Sequence, residues 1–237
     1  PETQALASPQ PPLNQQNVAQ RDPKLRLQKP DPSKPYFIGP KRYVKIPRRQ
    51  DGSDAVGPMF SHHNHNPAIV ECPNGDLLAI WYTCVSEKDR ELAQAASRLR
   101  WGKEQWETAS PFLDGPDRND HAPTLWFDGK ETIYHFYGMA ASSTWGPLAM
   151  VMRKSKDSGA TWSQARIIAD EHNEKHQLSE PVFRTNDGDI VATVDGAKNF
   201  WVSKDEGKSW MNPGGGVNGT HPGVTQLDDG TFIGFIR

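Results

Sequence analysis

Short apolar runs along this chain come in pairs, each pair separated by a glycine-centred turn. Ala68-Ile69-Val70 and Leu77-Leu78-Ala79-Ile80-Trp81 flank Asn74-Gly75, and the same layout recurs around Asp128-Gly129, Asp187-Gly188 and Asp229-Gly230. Apolar runs of this length, bounded by turn residues, read as β-strands. Asn-Gly and Asp-Gly between them predict two-residue type I′ hairpins, which need φ > 0 at both central residues. Each hairpin opens on a polar residue and a proline: His65-Asn66-Pro67, His121-Ala122-Pro123, Ser179-Glu180-Pro181 and His221-Pro222. Proline loses no ladder donor at a strand's first residue, so these four are expected to open the innermost strand of each unit. No amphipathic helical stretch of ten or more residues interrupts the pattern.

A second repeat follows the hairpins. Ser155-Lys156-Asp157-Ser158-Gly159-Ala160-Thr161-Trp162 and Ser203-Lys204-Asp205-Glu206-Gly207-Lys208-Ser209-Trp210 both read S-K-D-x-G-x-[ST]-W. Aspartate and glycine make a tight turn whose carboxylate accepts backbone N–H groups, and tryptophan anchors it in apolar surroundings. Pro67 to Trp106 and Pro123 to Trp162 are each 39 residues apart, and Pro181 to Trp210 is 29. Ser97–Trp106 therefore reads as a degenerate copy that has lost its aspartate. A unit of two hairpins repeated at about 40–50 residues is the signature of a propeller. The expected fold is an all-β propeller of four-stranded blades, six when complete, with about three and a half covered here.

The last strand stops at Phe235-Ile236-Arg237, so the chain is expected to be a piece of a longer propeller, with a second chain as the alternative. Residues 1–35 read as a Pro-rich disordered or extended leader and residues 36–237 as the propeller. Eleven of the twenty prolines lie in residues 1–58, and Arg21–Arg49 holds ten basic residues against two acidic ones. That basic run reads as a solvated tail or a contact for an anionic polymer. Tyr36-Phe37-Ile38 and Arg42-Tyr43-Val44-Lys45-Ile46 alternate as strands do and are candidates for the strand that closes the ring. The net charge of −2 provides no field to recruit nucleic acid. No run of 18 apolar residues is present to span a membrane. Pro1 in place of methionine suggests a removed leader. Cys72 and Cys84 fall on opposite arms of the first hairpin, opposite Leu77 and His65. The implied separation of roughly 20 Å predicts free thiols.

Equivalent stations on inner strands meet around a propeller's axis. His65, His121, Glu180 and His221 precede the hairpin prolines, with His62, His63, Asp120 and Ser179 beside them. Such a polar ring exceeds what packing requires and is the candidate site. A metal centre is not expected, because the tract His62–His65 would have to curl to converge, and no cofactor is implied. Capping a strand or loop is the structural alternative for His121 and Glu180. His135 reads as structural, His172 and His176 as solvated loop residues, Trp145 as an aromatic platform for a sugar, and Asn218-Gly219-Thr220 as a glycosylation sequon.

The S-x-D-x-G-x-T-W turns are Asp-boxes, or BNR repeats, and with the hairpins they resemble the sialidase superfamily over roughly residues 59–237. In that family the boxes are structural, which gives Asp157 and Asp205 no catalytic role. The resemblance implies a pocket lined by three arginines, a carboxylate acid/base and a tyrosine nucleophile polarised by a glutamate. His65-Asn66-Pro67 stands where the first arginine is expected. The loop Ser86–Glu91 holds the acid/base position, with Glu91 the best-aligned residue and Asp89 second. His221 falls on the glutamate and Arg237 on the second arginine, while the third arginine and the tyrosine would lie beyond Arg237. The implied function is a secreted or periplasmic glycoside hydrolase acting on an acidic or terminal sugar of a glycan or polysaccharide. Glu91, Asp89, His65 and His221 are the catalytic candidates. Arg237, His121, Asp120, Glu180 and His63 are the candidates for substrate contact. A lyase acting on a uronic-acid polymer through a histidine base, and a non-catalytic glycan-binding propeller, are the alternatives.

Overall fold

The computed structural model describes residues 63–140, 146–169, 177–178, 181–195, 200–214 and 219–237. Residues 1–35, the strands expected within 36–46, and His62, Trp145, His172, His176, Ser179, Glu180 and Asn218 lie outside the described residues. Among the described residues every regular element is a strand. The first sheet is β1 (His63–Glu71), β2 (Leu77–Cys84), β3 (Ala93–Leu99) and β4 (Ser110–Leu113), antiparallel and in sequence order. The second repeats it with β5 (Asp120–Phe127), β6 (Ile133–Ala140), β7 (Leu148–Ser155) and β8 (Arg166–Ala169). A third contains β9 (Val182–Arg184), β10 (Ile190–Thr193) and β11 (Phe200–Ser203), and a fourth β12 (Gly223–Gln226) and β13 (Phe232–Phe235). β1 packs beside β5, and β5 beside β9. First strands of the first three sheets are thus neighbours, as the inner strands of propeller blades are.

The Asp-boxes hold these sheets together. Ser155 Oγ donates to Asp157 Oδ1 at 2.7 Å, and the same oxygen accepts the Thr161 N–H at 2.9 Å. In the second copy Asp205 Oδ1 accepts from Ser203 Oγ at 2.9 Å and from the Ser209 N–H at 2.8 Å. Each turn leans on the sheet before it: Ser158 Oγ accepts the Asn74 N–H at 3.2 Å, and the Glu206 carbonyl accepts the Tyr134 hydroxyl at 3.2 Å. Trp162 is buried at 5% exposure and meets Phe112 edge-on at 5.4 Å, inside a core shared with Leu78, Ile80 and Leu125. The degenerate copy keeps the backbone closure. Glu107 N–H reaches the Arg98 carbonyl at 2.8 Å, as Ser163 reaches Lys154 at 2.7 Å and Met211 reaches Val202 at 2.9 Å. The box glycine is the point of closest approach. A Cβ on Gly159, whose φ is +78°, would lie 2.9 Å from Leu78 Cδ2 and 3.1 Å from Arg98 Nη2. Gly159→Ala should therefore lower stability by about 2–4 kcal/mol, combining left-handed strain with overpacking. Gly188→Ala, also at positive φ but with nothing within 4 Å, should lower it by about 1 kcal/mol. Urea denaturation of the two variants checks the difference.

Three sequence expectations need correction. Positive φ occurs at Gly75, Gly188 and Gly230 but not at Asn74, Asp187 or Asp229. Those hairpins have three-residue loops closed by Cys72 N–H to Asp76 O, Thr185 to Asp189 and Leu227 to Thr231. They combine an ordinary turn with one left-handed glycine, a geometry that also suits strand twist. Secondly, Pro67 and Pro123 do not open their strands. They sit at β-bulges inside β1 and β5, where the register jumps between His65 and Ala68 and between His121 and Thr124. Only Pro181 and Pro222 stand immediately before their strands. Thirdly, the three-residue loop and the bulge each shift the register by one residue, so Cys84 lies opposite His63 rather than His65, and Cys72 pairs with Asp76 beyond the ladder. Both cysteines are free and buried, as expected from their separation. Burial pushes the Cys72 thiol up to about 11 and that of Cys84 to about 12. Thiol reagent should therefore label neither in the folded protein at pH 8 and both in urea.

Candidate active site

The bulges create the site. One extra residue in β1 and in β5 forces Asn66 and Ala122 to φ of +52° and +46°, and His221 before Pro222 has +57°. Their shared conformation shows that His221 is equivalent to Asn66 and Ala122, not to His65 and His121. The expected single ring of His65, His121 and His221 is thus offset by one residue at the fourth sheet, and in a strand one residue reverses the face. His65 pairs with Tyr82, His121 with Gly138, and Thr220 exchanges backbone hydrogen bonds of 3.2 and 3.0 Å with Arg237. Arg237 therefore occupies, in the fourth sheet, the station that Tyr82 holds in the first.

His63, His65 and His121 do come together, around Tyr82. Ring centroids lie 6.1 Å from Tyr82 for His63, 5.7 Å for His65 and 4.8 Å for His121. The Tyr82 hydroxyl donates a short hydrogen bond to Glu87 Oε1, and that oxygen is 4.0 Å from His121 Nε2. The arrangement has two levels. Tyr82 and His121 are each 1% exposed, whereas His65 is exposed and the Glu87 side chain is 41% exposed. Buried groups orient; accessible ones can meet a ligand.

Electrostatics follow from that layering. Burial, then the hydrogen bond to Glu87 and its charge, push the Tyr82 phenol far above its ordinary range, so it remains a proton donor. Burial alone would raise the Glu87 carboxyl. The Tyr82 hydroxyl and the nearby His121, His65 and His63 outweigh it, and the carboxyl sits below its usual range. Burial brings His121 down to about 4, against the attraction of Glu87 and the opposing influence of the nearby Gln177 side chain. At neutral pH the centre is thus an ionised carboxylate resting on a neutral phenol and a neutral imidazole.

The strand that carries His121 also fixes the loop that carries Glu87. Asn119 is fully buried, and its side-chain amide donates to the carbonyls of Glu87 at 3.1 Å and Asp89 at 2.7 Å. Asp120 N–H bonds to the Leu92 carbonyl at 3.0 Å, and Leu92 N–H to Arg118 at 3.3 Å. Asp89 and Glu91 are exposed on that loop. Asp120 is 1% exposed and points inward, taking the Gly115 N–H on Oδ2 at 2.6 Å, so it lies behind the surface rather than on it. Burial raises its carboxyl to about 7, with Gly115 and Arg153 opposing and Asp114 and Glu91 adding to the shift. His135, read as structural, is fully buried and accepts a 2.9 Å hydrogen bond from Arg153 Nε. Among the described residues no group of three His, Cys, Asp or Glu side chains is placed to hold a metal ion.

Tyr82, Glu87, Asn119, Gln177 and Asp195 escaped sequence reasoning. Glu87 belongs to the loop already singled out, but alignment with the family's acid/base position favoured Glu91. Tyr82 carried a legible signal: it lies two residues past Ile80, the partner of Ala68, as Arg237 lies two past Phe235, the partner of Gly223.

The box-linked sheets with their inner strands side by side define a BNR-repeat protein built on sialidase-like propeller blades. The family described as BNR repeat-like domain matches residues 75–237, and the chain belongs to it. Similar solved structures include a Hadza microbial sialidase, with TM-score 0.53 and 17% identity over 68% of this chain and 39% of that one. A Dyadobacter fermentans protein of unknown function has TM-score 0.59 and 15% identity over 82% of this chain and 64% of its own. The intramolecular trans-sialidase from Ruminococcus gnavus, solved with oseltamivir carboxylate, has TM-score 0.56 and 11% identity over 76% and 66%. At these identities the likeness is one of fold. The chain spans 39–66% of the length of these three structures. No curated protein matches the chain.

Proposed function

We propose that this chain forms part of a secreted or periplasmic glycoside hydrolase, six-bladed when complete, that acts on an acidic sugar of a glycan. The observation that carries this reading is the accessible Glu87 carboxylate, anchored from below by the Tyr82 hydroxyl and flanked by His63 and His65. A fixed carboxylate of this kind stabilises the positive charge that develops at an anomeric carbon. Glu91 or Asp89, on the same loop, protonates the leaving oxygen. His65, His63 and Arg237 pair the substrate carboxylate through charge-assisted hydrogen bonds. Arg237 suits that role because it holds the Tyr82 station three sheets on. Asp120 and His121 support this surface from behind.

One observation favours a second reaction on the same substrate class. His65 is exposed on the face that carries the accessible Glu87, so an imidazole base can reach a bound uronate there. In β-elimination on a uronate, the base takes the C5 proton, the C4–O4 bond breaks as C4=C5 forms, and the acid protonates O4. The deciding experiment incubates full-length protein with sialyllactose and with uronic-acid oligosaccharides. Release of a saturated acidic sugar supports hydrolysis, and an ultraviolet-absorbing unsaturated product supports elimination. Binding without turnover of either leaves a glycan-binding propeller and overturns the enzymatic reading.

A further inference from the structure

The polar rim continues past His121 into the third and fourth sheets. The Gln177 side chain lies close enough to His121 to act on its ring, the Gln177 carbonyl accepts the Asp195 N–H at 3.3 Å, and Asp195 in turn faces His221. Asp195 Oδ1 accepts the His221 backbone N–H at 2.6 Å and lies 3.7 Å from His221 Nδ1. The Asp195 side chain is 9% exposed and that of His221 is 35% exposed. The carboxylate is therefore locked to the backbone of the very residue whose ring it faces. A modest ring rotation closes the remaining gap to a hydrogen bond, a tightening often left to the bound complex.

The repeat shows why this pair is no by-product of the architecture. The left-handed residue before each proline is set by the bulge, and the chain fills that station with Asn66, Ala122 and His221. Asn66 spends its amide on the Pro123 carbonyl at 3.2 Å, and Ala122 presents nothing. Histidine, like asparagine, is among the non-glycine residues that this left-handed conformation accepts, so the station admits an imidazole without requiring one. Asp195, directly after Val194, stands where the first two sheets carry Thr83 and Met139. Among the described sheets these two stations thus carry an imidazole and a carboxylate together only here, and both Glu87 and His221 act electrostatically on the buried His121 between them.

We propose that Asp195 and His221 form a carboxylate–imidazole pair, in which Asp195 holds the Nδ1–H tautomer and His221 Nε2 is the base that activates the attacking water. This assignment rests on the hydrolytic reading above and supplies its attacking group. The water oxygen bonds to the anomeric carbon as its proton passes to Nε2. The bond to the leaving oxygen breaks, and that oxygen takes the proton of Glu91 or Asp89. Asp195 is a positioning residue, because it acts through His221 and touches no substrate atom.

The test uses full-length protein and the acidic oligosaccharide that the wild type hydrolyses. His221→Gly suits the left-handed backbone and should fold at least as well as the wild type. Its kcat should fall about 10²–10⁴-fold, with partial recovery in added imidazole. Asp195→Asn keeps an acceptor for the His221 N–H and should lower kcat by at least about tenfold with KM little changed. The double variant should be no worse than His221→Gly alone, as expected for groups acting as one unit. Independently of turnover, nitrogen–proton NMR correlation of the His221 ring should show one tautomer in the wild type and a mixture in Asp195→Asn. Unchanged kcat in His221→Gly, or an unchanged tautomer in Asp195→Asn, overturns the pair. If the wild type hydrolyses nothing yet the tautomer responds to Asp195, the pair stands as an orienting device and the hydrolytic reading fails.

Discussion

Glu87→Gln in the full-length protein is expected to reduce kcat on an acidic glycan by about 10²–10⁴-fold, or roughly 3–5 kcal/mol of barrier. The amide oxygen can still accept the Tyr82 hydroxyl, so the loop stays in place while the charge is lost. Asn119 keeps its hold on the backbone carbonyls of Glu87 and Asp89, which the substitution does not touch. The comparison variant is Glu91→Gln, on the exposed part of the same loop. If Glu91 is the acid, its loss should be rescued by substrates with a good leaving group, which need no protonation. Loss of Glu87 should resist that rescue, because the charge at the anomeric carbon is still unsupported. Steady-state kinetics on a pair of substrates differing only in leaving group would measure both. Full activity of Glu87→Gln would remove Glu87 from the reaction.

Asp120→Asn should stabilise the protein at pH 8 and leave it unchanged near pH 4. The carboxyl is buried, with its folded value raised to about 7, while in the unfolded chain it titrates near 3.8. Between those values the native state holds a proton that the unfolded state has released. Wild-type stability from this group therefore falls as pH rises from about 4 to 7 and is level above. Asparagine fills the same space, still accepts the Gly115 N–H and carries no charge to desolvate. The gain at pH 8 should approach about 4 kcal/mol, the worth of a shift of this size at 1.36 kcal/mol per pH unit. His121 works in the opposite sense. Its folded value is lowered to about 4, so its contribution is present above about 6.5 and is lost as pH falls. Wild-type stability alone mixes the two, and only the difference between Asp120→Asn and wild type isolates Asp120. Urea denaturation at pH 4, 6 and 8 would show it, and a constant difference across that range would count against the buried charge.

The repeat was legible because its causes are local. The D-x-G turns and the glycine after each first strand are each set within a few residues, and the recurrence of proline and tryptophan marks the repeat of these local units. They were enough for the strand pairs, the box closures and the free cysteines. Register was not legible, because a bulge leaves no composition of its own. Asn66 and Ala122 look unremarkable in sequence, yet their left-handed backbone advances the strand by one residue. That slip, added to the one-residue shift of the three-residue loop, put Cys84 opposite His63, and the shared left-handed φ sets His221 with Asn66 instead of His65.

By itself, the sequence determined an all-β chain of repeated sheets joined by Asp-box turns and a set of histidines near the starts of the inner strands. Those features depend on turn chemistry and on hydrophobic period, which act over neighbouring residues. Only the tertiary structure decided that Glu87 and Tyr82 form the centre, that Asn119 from the next sheet holds their loop, and that Asp195 meets His221. Each of these contacts joins residues brought together by strand pairing or sheet packing. Their geometry depends on where a bulge falls and on which face a side chain then takes.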